Sequence, residues 1–111
     1  MIYETDKRII IKMIETINRN IDLVNNHGEE IKSNYVYSDS LLYEFEKLYQ
    51  DLNKVSFQLI VMHPEIPFHK IRAIRNRIAH EYENVSIDVL VDSVKNDFPV
   101  LITIFNNLLN S

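Results

Sequence analysis

Apolar residues recur with helical spacing in four stretches of the chain. In the first, Ile10, Ile14, Ile17, Ile21 and Val24 step by four, three, four and three, which lines one side of a helix. That helix is expected to end near Asn26, His27 and Gly28. Gly28, the only glycine in the chain, fits a left-handed C-terminal cap. In the second stretch Leu41, Phe45, Leu48, Leu52, Val55 and Leu59 repeat at alternating steps of four and three, with Ser38, Asp39 or Ser40 as the N-terminal cap. Glu44, Glu46, Lys47, Asp51 and Lys54 make up its solvated face, and Tyr43 and Tyr49 sit at the amphipathic edge.

Pro64 and Pro67 interrupt helical geometry and mark a turn into a third helix, from about Phe68 to His80. Ile71, Ile74 and Ile78 form its core stripe. After a loop at Glu83 and Asn84, Ser86 is placed to cap a fourth helix, with Asp88 in its first turn, where a negative charge suits the helix dipole. The fourth stripe is Ile87, Leu90 or Val91, Val94, Phe98, Leu101, Phe105 and Leu108. Pro99 should bend this helix or divide it, because proline removes a backbone donor and crowds the preceding turn. The expectation is an all-α, up-and-down bundle of four to five helices, with the last helix kinked near Pro99 and residues 1–111 forming one domain. Val89, Val100, Ile102 and Ile104 add apolar residues beyond the fourth stripe. That excess points either to a dimer interface or to deep burial within the monomer.

Composition agrees with this pattern. The chain has 111 residues, one Gly, three Pro and 46% hydrophobic residues, which suits long helices with few tight turns. It contains no Cys, which excludes disulfides, thiolate metal sites and cysteine nucleophiles. The N-terminal MIYETDKRIIIKM places Glu4, Asp6 and Lys12 around its isoleucines, unlike a signal peptide, and no uncharged apolar run approaches a membrane span. A cytoplasmic protein with no membrane partner is expected.

Charge changes the picture at one place. The net charge is −4, which argues against broad non-specific binding to nucleic acid. Yet residues 69–80 contain Lys70, Arg72, Arg75 and Arg77 and no acid, leaving −8 for the other 99 residues. A basic segment on an otherwise acidic chain suggests a local anion site. Within it, Asn76 and His80 are four apart and share a helix face, whereas Arg75 and His80 are separated by about 140°. Either the helix frays near His80 and Arg75 wraps round, or a second subunit helps complete the site.

The residue types suit phosphate chemistry. An imidazole titrates near neutrality and can take a proton from a hydroxyl or give one to a leaving oxygen. A guanidinium presents a planar fork of donors to phosphate oxygens. Asn76 could fix the imidazole tautomer or bind a phosphate oxygen, and Tyr82 brings a ring and a hydroxyl. Together they fit metal-independent RNA cleavage through the ribose 2′-hydroxyl. No cofactor is implied. His69 and His80 are about 16 Å apart along a helix, too far for a shared metal, and His63 and Glu65 read as loop residues. Taken without further comparison, the residues indicate a phosphate site, and a structural helical dimer with a basic stretch stays open.

The run RNRIAHEY, Arg75 to Tyr82, resembles the R-x-x-x-x-H-x-Y signature of HEPN-domain ribonuclease toxins of the HepT type. The preceding FHKIRAI and the later NDFP, Asn96 to Pro99, extend the similarity. The resemblance implies a helical homodimer whose subunits both contribute Arg and His to a cleft that cleaves RNA without metal. Arg75 and His80 would be the catalytic pair and Asn76 their polar supporter, with Lys70, Arg72 and Arg77 as RNA-binding candidates. It also implies a toxin–antitoxin pair of the type VII kind, in which an MntA-like nucleotidyltransferase antitoxin attaches AMP to the signature tyrosine, here Tyr82. Glu81 and Glu83 flank that tyrosine, and like charge near phosphate is expected to weaken RNA binding. A non-catalytic HEPN module that binds a nucleotidyltransferase or its substrate is the alternative.

Overall fold

In the structure, a computed structural model that describes residues 2–80 and 87–111 and His80 by its backbone alone, the apolar stripes resolve into seven helices. They are α1 (Glu4–His27), α2 (Glu30–Ser33), α3 (Tyr35–Leu52), α4 (Phe57–Met62), α5 (Phe68–His80), α6 (Ile87–Asn96) and α7 (Phe98–Leu109). The helical bundle agrees with expectation, whereas the helix number exceeds the four to five expected because two of the four stretches are each divided and a one-turn helix is added.

The long helix α1 is the centre of the bundle and packs against α2, α3, α6 and α7. Having neighbours on several sides, it buries a broader band than the single isoleucine stripe. Ile10, Met13, Ile17 and Val24 are buried, Ile14 and Ile21 pack partly against the core, and Asn20 lies wholly inside. Both amide atoms of Asn20, like the buried hydroxyl of Ser93, lack a hydrogen-bond partner among the described residues. At the surface of the α1–α3 contact, Arg19 Nε donates to Glu44 Oε2 at 2.9 Å. Glu44 therefore belongs to a helix–helix link rather than to a purely solvated face.

Gly28 is right-handed, with φ −36° and ψ −59°, which corrects the expected left-handed cap. The backbone keeps a near-helical course toward α2 and needs no left-handed reversal there. The cap of α3 is Asn34, whose side chain accepts from the Val36 amide at 3.0 Å, not Ser38, Asp39 or Ser40. Those three already lie inside α3, where the Ser38 hydroxyl donates to the Ile31 carbonyl at 2.6 Å.

Between α3 and α4 the helix stops although the apolar spacing does not. Val55 and Leu59 are buried on either side of Ser56, whose extended backbone and side chain start α4. The Ser56 hydroxyl oxygen accepts from the Leu59 amide at 3.1 Å. Buried Asp6 in turn accepts from the Ser56 amide at 2.9 Å and from its hydroxyl at 2.6 Å. One carboxylate thus fixes the cap of α4 to the first turn of α1.

The fourth stretch divides at Asp97. Pro99 falls in the first turn of α7, where its missing N–H has no intrahelical partner to lose; the proline starts a new helix instead of kinking a continuous one. Leu90, Val91, Val94, Phe98, Leu101, Phe105 and Leu108 are buried, and the Phe98 and Phe45 rings stack with centroids 6.5 Å apart. Ile87, Val89, Ile102 and Ile104 pack partly against the core, while Val100 stays 58% exposed. Burial within the chain therefore accounts for most of the apolar excess. No helix among the described residues is long and apolar enough to cross a membrane.

Candidate functional site

The basic segment forms α5, and the turn before it is closed by backbone hydrogen bonds. The Ile66 amide donates to the His63 carbonyl at 3.1 Å, and the Ile71 amide to the Pro67 carbonyl at the same distance. Beside this turn His63 Nδ1 lies 3.0 Å from Glu65 Oε1. Glu65 is held below the ordinary carboxylate pKa chiefly by a hydrogen bond from its own backbone and secondarily by His63. Among the described residues, no cluster of three His, Asp or Glu is arranged to hold a metal.

α5 packs chiefly on α3, through the expected Ile71 and Ile74, which are buried, and the partly buried Ile78. With one main neighbour, the remaining faces of the helix separate the polar residues by their angle about the axis. Arg75 is on the flank toward α3. Its Nε is 3.6 Å from Glu46 Oε2, and its guanidinium carbon is 5.1 Å from the centre of the Tyr49 ring, a cation–π arrangement. Lys70 is on the opposite flank, its Nζ 2.6 Å from Asp97 Oδ1. Arg77 joins Lys70, Asp92, Ser93 and Asn96 around a surface depression.

His69, Arg72, Ala73, Asn76 and Ala79 are exposed on the outward side. The backbone places His80 there as well, one turn beyond Asn76. Arg72 pairs with no acid among the described residues, in contrast to Lys70 and Arg75. It stands on the rim of a pocket of about 390 Å³ together with Asn53 and His69, with Ile60, Ile66 and Phe68 among the apolar residues behind them.

The sequence-derived candidates are thus divided. Asn76, Arg72 and the His80 backbone share one side, Arg75 turns toward α3, and Lys70 and Arg77 face the side of α6. The helix continues through His80, so fraying before that residue is not how Arg75 and His80 could meet. Tyr82, Glu81, Glu83, Asn84 and Ser86 lie outside the described residues. Glu46, Tyr49, Asn53 and Asp97 were not singled out for the site from the sequence. Each comes from another element or its end, and helical periodicity does not encode which residue of one helix meets which residue of another.

The arrangement offers cations on three sides of one helix, and the outward side combines a guanidinium that has no acid partner among the described residues with an exposed amide. Such a surface suits a phosphate-bearing ligand more than a buried small molecule. No solved structure matches the chain. A family model described as Ribonuclease HepT-like matches residues 10–108, a span that includes all of α5. The chain therefore belongs to the HepT-like ribonuclease family, the type that its Arg75–Tyr82 motif resembles.

Proposed function

We propose that this protein is a metal-independent endoribonuclease toxin of the HepT type, working as a homodimer with Arg75 and His80 as its catalytic pair. Membership of the HepT-like family carries the reading. The exposed outward side of α5 supports it, because Asn76 and the backbone of His80 are placed where a second copy and an RNA strand can approach.

In the reaction, an imidazole of His80 takes the proton of the ribose 2′-hydroxyl. The resulting oxygen attacks the adjacent phosphorus, the bond to the 5′-oxygen breaks, and a 2′,3′-cyclic phosphate forms. A dimer supplies two His80 imidazoles, one as base and the other, protonated, as acid for the leaving oxygen. Arg75 stabilises the charge that builds on the phosphoryl oxygens. To do so it exchanges its contact with Glu46 for one with RNA. Asn76 holds the imidazole tautomer or a phosphate oxygen, and Lys70, Arg72 and Arg77 attract the strand. The two-subunit arrangement also resolves the angular separation of Arg75 and His80, since the Arg of one copy can face the His of the other.

The regulatory partner in this reading is an MntA-like nucleotidyltransferase antitoxin that adds AMP to Tyr82, placing bulk and negative charge at the cleft. Mass spectrometry after co-expression should find AMP-sized additions on Tyr82 and none on Tyr82→Phe.

The central test is cleavage of RNA in EDTA. His80→Ala should lower the rate by about 10²–10⁴-fold, and Arg75→Ala should lower it as well, both with unchanged helicity. Persistent cleavage by His80→Ala removes the acid/base assignment. The contact of Arg75 with Glu46 and Tyr49 favours one second reading, a non-catalytic module that binds a nucleotidyltransferase or its substrate. That reading gives a stable complex and no RNA turnover at any protein concentration.

A further inference from the structure

The pocket beside Arg72 has features that phosphate binding alone does not require. Its volume of about 390 Å³ falls in the range of small-ligand sites. Ile66, 2% exposed, and the partly buried Ile60 and Phe68 give it apolar walls, and Asn53, His69 and Arg72 give it a polar rim. A pocket walled by aliphatic and aromatic groups accepts a flat apolar face, and an edge of amide and imidazole groups can hydrogen-bond its periphery. Arg72 provides a cation with no acid partner among the described residues.

Position connects the pocket to the proposed reaction site. Arg72 and Asn76 are one turn apart on α5, about 6 Å along the axis, and His80 is about 12 Å from Arg72. A single strand running along the outward side would pass the reacting phosphate near Asn76 and His80. A neighbouring phosphate would then reach Arg72 while its base is turned inward.

We propose that this pocket receives the unstacked purine base of a single-stranded RNA, with Arg72 on the adjoining phosphate, as a specificity subsite of the ribonuclease; the proposal rests on the reading given above. Stacking on Phe68 and the aliphatic wall is tolerant of base identity. Discrimination comes from the Asn53 amide, whose donor and acceptor match the edge of a purine, the pairing that asparagine makes with adenine. Charge and burial thus have separate roles: Arg72 draws the backbone, and the pocket reads the base.

The test is fluorescence anisotropy with labelled 2′-O-methyl hexamers of A, C and U, which lack the hydroxyl needed for cleavage. The wild-type protein should bind the A hexamer at least about fivefold more tightly than the C or U hexamer, the lower end of the discrimination that one well-formed amide–base pair contributes. Asn53→Trp, at an exposed position, fills the mouth and should bring the three affinities together without changing helicity. Arg72→Ala should weaken all three alike and reduce the salt slope by about one. Equal binding of the three hexamers by the wild type, no binding at all, or a purine preference that survives Asn53→Trp overturns the proposal. Unmodified A-rich RNA incubated in EDTA tests the parent reading separately. A purine preference without cleavage overturns the ribonuclease reading and leaves the base pocket standing.

Discussion

Glu46 is the residue whose removal should improve the proposed activity. Its carboxylate lies 3.6 Å from the Arg75 guanidinium, with 42% and 38% of the two side chains exposed. At that separation two unit charges in water interact by about 1 kcal/mol. Exposed pairs retain about 0.2–1 kcal/mol after screening and the loss of side-chain freedom. An RNA phosphate that recruits Arg75 must displace this contact. Glu46→Gln preserves shape and removes the charge, so it should raise kcat/KM for single-stranded RNA by roughly 1.4- to 5-fold. Urea denaturation should move by no more than about 1 kcal/mol, as for other exposed pairs. The assay is initial-rate cleavage of a labelled oligonucleotide at low and high ionic strength, and the gain should shrink with salt, since the Debye length falls to about 3 Å at 1 M. A twofold or greater loss of kcat/KM would refute the reasoning. Glu46 would then be holding Arg75 in its working orientation instead of competing with the substrate.

Asp6→Ala should destabilise the fold by about 2–4 kcal/mol in urea titration, because it leaves the Ser56 amide and hydroxyl without their charged acceptor; a change below about 0.5 kcal/mol would show that the link contributes little. Asn20→Leu should stabilise by about 1–3 kcal/mol, since a fully buried amide with no partner among the described residues is replaced by a side chain of similar size. A lower denaturation midpoint would instead reveal a hidden partner for the amide. For Glu65, the carboxyl resonance should titrate below the ordinary glutamate value, and His63→Ala should move it upward only in part, because the backbone hydrogen bond is the larger cause. The sign follows from the lowered folded-state pKa: the contribution is present above the unfolded value and is lost as pH falls through the folded one. Full return of Glu65 to the ordinary value in that variant would reverse the ranking of the two causes.

Periodicity made the principal helices legible, since Ile10, Ile17 and Val24, or Phe98, Leu101 and Phe105, are buried at the spacing their positions suggest. It could not reveal the break before α4. Val55 and Leu59 preserve helical spacing across Ser56, and the group that fixes the new helix start there is a buried carboxylate from the first turn of α1. Nor could it show that Asn20 faces inward, because one polar residue in an apolar band reads as an interruption of the pattern. Pro99 was legible as a boundary because its effect is local and covalent. At the candidate site, the composition of α5 and its angular relations were visible in the chain. The engagement of Arg75 by Glu46 and Tyr49 was not, since it depends on how α3 and α5 are rotated against each other.

The packing of α1 against both α6 and α7 has a consequence for the order of events during translation. α1 cannot complete its burial until α6 and α7 have been made, so the part of its apolar band that meets them must wait while the intervening segments are synthesised. During that interval α5 already exists in the nascent chain, but the α1–α3 platform that orients it still lacks the cover of α6 and α7. Full assembly of the candidate site is therefore delayed until α7 has emerged from the ribosome.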